Sequence, residues 1–190
     1  MNDFTLYFET GWQHIISYDA ADHILFIIAL TAIYVLSNYK QVLILVTAFT
    51  IGHSFTLALS VYDIIRINAK LVEILIPCTI LTTAVFNFFI RDFKPKSLRI
   101  NYFLALFFGL IHGMGFANSI RFMLAKGERI ALPLLSFNIG LEAGQILVVA
   151  IILALSFIVI NIAGLKRKWW IWGLSAIAIC IATKMIFERI

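Results

Sequence analysis

Charge is what this sequence has least of: 13% of its 190 residues are charged, against 62% hydrophobic. A soluble domain is nearer a quarter charged and half apolar, and a globule this small has too little interior to hide the difference. Cysteine is nearly absent. Cys78 and Cys180 sit inside apolar runs and form no CxxC, so neither a disulfide framework nor a thiolate-rich structural zinc or copper site is in view. Also missing are a Gly-rich phosphate loop, a nucleophile elbow and an HExxH pair, the signatures of phosphate binding, acyl transfer and zinc proteolysis. The opening "MNDFTLYFETGWQH" lacks the basic-then-apolar layout of a signal peptide. The first span is therefore expected to direct insertion.

What fills the chain is apolar sequence of membrane-crossing length. A spanning helix takes about 20 mainly apolar residues, and six stretches qualify, approximately 20–38, 41–62, 71–90, 102–124, 130–163 and 169–187. The fifth exceeds one crossing and is expected to tilt, break or project. Trp169, Trp170 and Trp172 beside "KRK" mark an interface. The connections are short, and no linker, low-complexity tract or convincing internal repeat stands out. The expectation is an all-α integral membrane protein: a bundle of about six transmembrane helices forming one domain over 1–190, with a short N-terminal segment folded at the membrane surface. A bacterial inner membrane is the expected location, the lipid bilayer the first partner, and a homo-oligomer is left open.

The net charge of +5 lies in short loop clusters, chiefly "RDFKPKSLR" and "KRK". That is topogenic loop charge rather than a nucleic-acid surface, and no nucleic-acid partner is expected. The two densest clusters share a side when both termini are outside.

Against this background the ionisable residues inside apolar runs stand out, because charge at bilayer depth costs at least about 2.5–3.5 kcal/mol. There are four histidines, none in a basic loop. In "HIISYDAADHILF", Asp19 and Asp22 fit a helix start, as N-cap and acidic third residue. His14 and His23 are not explained that way, and a chain break near Asp19 would let them converge. His53 lies on a polar stripe with Thr47, Thr50, Ser54 and Thr56, and His112 lies between Gly109 and Gly113, a small-residue pair that admits a neighbouring helix. Asn138, Glu142 and Gln145 share one face of the fifth span, and Asn118 is placed to support His112. Imidazole with carboxylate is a donor set for divalent transition metals.

"DAADHILFIIAL", "VTAFTIGHSFTLAL" and "FGLIHGMGFA" together resemble the HupE/UreJ family of small membrane proteins, in its divergent branch. The resemblance covers roughly residues 10–145. It implies nickel or cobalt uptake, with His14, Asp22 and His23 matching the family's first motif and His112 with Gly113 a later one. This chain has a longer spacing between His14 and Asp22, and Phe116 where a second histidine is expected.

The resulting expectation is a permease for a divalent transition metal: nickel first, with cobalt and zinc as further substrates. His14, Asp19, Asp22 and His23 would form the outer mouth. His53, His112 and Glu142 would form a deeper station, supported by Ser54, Asn118, Asn138 and Gln145. The alternatives are a membrane-embedded zinc-dependent hydrolase with a His/Asp/Ser site, and a membrane scaffold or assembly factor whose polar groups only join helices.

Overall fold

A computed structural model of the chain describes residues 3–17, 20–89, 95–123 and 130–190, without the side chains at 95–99, 117–119 and 121–123. Among the described residues there are seven α-helices and no strand: α1 (Asp3–Ile16), α2 (Ala21–Thr31), α3 (Tyr39–Val61), α4 (Ala69–Phe89), α5 (Pro95–Met123), α6 (Ala131–Phe157) and α7 (Arg167–Arg189). Leu36–Val61, Ala69–Phe89, Ala131–Ile162 and Arg167–Arg189 are each long and apolar enough to cross a bilayer. The helices α1 and α2, set at 65° to each other, qualify together as a fifth. The protein is a multi-pass integral membrane protein. By length and composition, four or five crossings stand where six were expected, because α5 offers only a shorter apolar stretch, Ile100–Phe116.

The first expected span, 20–38, is not one helix. After Thr31, whose hydroxyl donates to the Ile27 carbonyl at 2.6 Å, the chain turns. It becomes extended at Val35 and re-enters helix through a 3-10 turn at Leu36–Asn38. The Arg167 guanidinium donates to the Ile33 carbonyl, satisfying an acceptor that the broken helix leaves free. The N-terminal segment forms α1, packed along α6 with Tyr7, Gly11 and Ile15 buried. The long fifth run is one helix that widens into a π turn at Ile158–Ile162 and stops at Gly164, whose φ of +71° suits a residue without Cβ.

Two helix pairs form the tightest contacts, and glycine makes both. A Cβ on Gly11 of α1 would lie 2.0 Å from the Phe137 carbonyl oxygen of α6, and one on Gly140 would lie 2.0 Å from the Phe8 carbonyl oxygen. In the other pair, a Cβ on Gly52 of α3 would meet the Leu106 oxygen of α5 at 2.2 Å, and one on Gly109 the Phe49 oxygen at 2.2 Å. The two contacts correspond position for position: Phe8, Gly11, Trp12 and Ile15 on α1 stand where Phe49, Gly52, His53 and Thr56 stand on α3. On the partner helices, Phe137, Gly140 and Gly144 of α6 stand where Leu106, Gly109 and Gly113 stand on α5. Residue numbers rise together along each contact, so the helices of each pair run parallel. An internal repeat is therefore present that composition and motif comparison did not reveal. It is written in backbone approach and in the phenylalanine and glycines that the contacts share, Phe8 with Phe49, Gly11 with Gly52, Gly140 with Gly109 and Gly144 with Gly113.

Interhelical polar bonds complete the bundle. Asn87 of α4 donates to the Ala29 carbonyl of α2 at 2.8 Å and to Ser175 of α7 at 3.1 Å. Thr56 of α3 donates to the Leu110 carbonyl of α5 at 2.7 Å.

Candidate metal centre

The breaks and close approaches just described bring all four histidines together. His14 is in the last turn of α1, three residues beyond the Gly11 contact, and His23 is in the first turn of α2. His53 follows Gly52 on α3, and His112 precedes Gly113 on α5, so the glycine contact of that pair holds both rings near each other. Ring centroids lie 4.5 Å apart for His14 and His23, 5.8 Å for His14 and His53, and 5.0 Å for His23 and His112. The histidines expected at the mouth and at the deeper station thus lie in one cluster.

One nitrogen from each of His14, His23 and His53 falls within a common 4.8 Å. A bound ion about 2.1 Å from each would draw three such nitrogens to about 3.4 Å apart. His23, His53 and His112 are buried and His14 is half-buried, and His14 Nε2, His23 Nε2, both nitrogens of His53, and His112 Nδ1 have no hydrogen-bond partner. An unpartnered buried polar atom costs about 1–3 kcal/mol, so such a concentration marks a site built for something it receives.

The groups around the rings fix their orientation. Asp22 Oδ1 accepts from the His23 backbone N–H at 2.8 Å and pairs with His23 Nδ1 at 2.9 Å. One oxygen therefore satisfies a free amide of the α2 first turn and leaves Nε2 as the ligand atom. This carboxylate–imidazole arrangement is typical of metal-binding histidines. His112 Nε2 pairs with the Thr79 hydroxyl of α4 at 3.2 Å. Apolar rings wall the cluster: Phe116 is 4.0 Å from His14 between centroids, and Phe49 and Phe26 are each 5.2 Å from His112. A cavity of about 500 Å³ reaches the cluster, lined by His14, Asp22, His23 and His112 together with Glu73 and Arg189.

The remaining sequence candidates lie elsewhere. Asp19 and the Asn118 side chain are outside the described residues. Ser54 donates to the Thr50 carbonyl of its own helix at 2.6 Å, and Asn138 to that of Leu134 at 2.8 Å. Glu142 accepts from Thr47 at 2.8 Å and Gln145 from Thr50 at 2.8 Å, so this row of α6 fastens α3 and does not join the imidazoles. Gln145→Leu, which leaves the Thr50 hydroxyl without its partner, is expected to lower stability by about 1–2 kcal/mol. Metal affinity should stay within about twofold. Thermal melting and titration calorimetry on the same preparation check both.

Sequence reasoning missed Thr79 and Arg189. Thr79 was hidden among ordinary helix hydroxyls. Arg189 belongs to no motif or charge cluster, although Pro77 inside a predicted span was a signal that an upstream carbonyl needs an outside donor.

A family model described as "HupE / UreJ protein" matches residues 1–189. The chain belongs to the HupE/UreJ family. That family is linked to nickel and cobalt transport, which favours a transporter over an enzyme for this HupE/UreJ protein, and the histidine cluster is compatible with a divalent metal. No curated protein and no solved structure matches the chain.

Proposed function

We propose that this HupE/UreJ protein carries nickel or cobalt ions across the membrane, binding each ion at His14, His23 and His53 with His112 alongside. The observation that carries this reading is the set of three converging imidazoles with free nitrogens at the bend between α1 and α2. Transporters commonly hold their substrate at a broken helix near the interface of inverted repeats. Here His14 belongs to one glycine-locked pair, and His53 and His112 belong to the other. Were α5 also to cross, so that α3 to α6 alternate in direction, the two parallel pairs would be inverted relative to each other. The cavity opens where α2 and α4 begin and α7 ends, which is the outer face in the orientation expected from the loop charges.

Liposomes containing the purified protein are expected to accumulate nickel or cobalt, and protein-free liposomes are not; equal uptake by the two refutes the proposal. Ligation needs neutral imidazoles, so protons compete with the metal, and calorimetric affinity is expected to fall, not rise, as the pH is lowered.

A further inference from the structure

Arg189 is the one cation lining the cavity among its described residues, and two features place it there. Pro77 sits inside α4 and has no N–H, so the Glu73 carbonyl four residues earlier loses its intrahelical donor. Arg189 Nη1 donates to that carbonyl at 2.8 Å. The other terminal nitrogen, Nη2, lies 3.7 Å from Asp22 Oδ2. Asp22 therefore faces two ways, with Oδ1 on His23 and Oδ2 towards a guanidinium. Both side chains are largely shielded, Asp22 at 14% exposure and Arg189 at 27%. Lys70, donating to the Ile190 carbonyl at 2.9 Å, ties down the chain beside Arg189.

We propose that Arg189 is a tethered counter-cation of the metal centre: it neutralises Asp22 between transport events, weakens the hold on an arriving divalent cation, and thereby lets the ion leave. This rests on the metal reading above. Taken together, Asp22 and Arg189 carry no net charge, which leaves Glu73 as the remaining carboxylate of the lining and reduces the attraction that a dication approaching the imidazoles meets. Repulsion between a dication and a unit charge within about 10 Å in a partly shielded site is enough to change affinity by tenfold or more. A guanidinium stays charged throughout the working pH range and presents several donors in a fixed fork. It can therefore grip the freed carbonyl and face the carboxylate at once, which a lysine ammonium cannot do in the same geometry.

The test is calorimetry with nickel and cobalt chlorides on the detergent-solubilised full chain, paired with liposome uptake. Arg189→Gln is expected to bind about tenfold more tightly than wild type while turning over more slowly, because release becomes limiting. Arg189→Lys, which keeps the charge without the fork, should fall between the two. Pro77→Ala returns an N–H to the Glu73 carbonyl and removes the anchor without touching Arg189; it should shift affinity in the same direction as Arg189→Gln. A merely structural role predicts weaker binding, not tighter. Equal or weaker binding by both Arg189→Gln and Pro77→Ala overturns the inference and leaves the metal reading standing. A wild-type protein that binds neither metal overturns both.

Discussion

His23→Ala is expected to abolish nickel and cobalt uptake and to weaken metal binding by about 100-fold or more. His23 is the ring on which the cluster turns: it adjoins His14 at 4.5 Å and His112 at 5.0 Å, and its donor nitrogen is one of the three sharing the 4.8 Å site. Loss of an outer partner alone typically costs about 10- to 100-fold in metal affinity, so loss of a ligand should exceed that. Asp22→Asn provides the graded comparison. The amide oxygen can still accept from His23 while the charge is gone, and a decrease of about 10- to 100-fold is expected. Calorimetry and uptake measured together decide the matter. Transport by His23→Ala at the wild-type rate would remove the centre proposed above.

Gly113→Ala is expected to disrupt the fold and the metal centre together. Its Cβ would stand 2.2 Å from the His53 carbonyl oxygen and 2.4 Å from Thr56 Oγ1. The carbonyl belongs to a helix backbone and cannot swing away as a side chain can. The α3–α5 pair must separate, at a cost of about 3 kcal/mol or more, and His53 and His112 separate with it. Thermal melting should fall and metal binding should be lost together. Gly173→Ala is the control: nothing lies within 4 Å of its added Cβ, and alanine in an exposed helix is expected to be neutral or slightly stabilising.

These two sites also show what could be read before any coordinates. The ranges 41–62, 71–90 and 169–187 differ from α3, α4 and α7 by about two residues at each end, because length and hydropathy are properties of a single segment. The four histidines and Asp22 were visible as ionisable groups in an apolar setting. Their convergence was only half visible. A break near Asp19 suggested that His14 and His23 could meet, but the position of His53 against them depends on which helix lies beside α1. Gly11 seats α1 on α6, and the Thr47–Glu142 and Thr50–Gln145 bonds seat α3 on the same helix; none of these partners is visible in one segment read alone. Glu142 lies apart from the imidazoles. Its place in an apolar run suggested a ligand, and the structure sets a threonine hydroxyl from α3 on it with a hydrogen bond. The first span was misjudged because hydropathy does not register where a helix stops, and Thr31–Val35 is apolar enough to look continuous.

The two glycine-locked pairs have one more consequence. Each pair is pinned internally by backbone contact, whereas Thr47 and Thr50 link the two pairs only through side chains, and His14 belongs to one pair and His53 to the other. A slip of a single residue along a helix is about 1.5 Å, comparable with the contraction the three nitrogens must make to hold an ion. Under the proposed function, coordination and alignment of the pairs would be the same event. The cargo would act as a latch pin: in place it would key the two halves together, and the slip that frees the halves would also pull the pin.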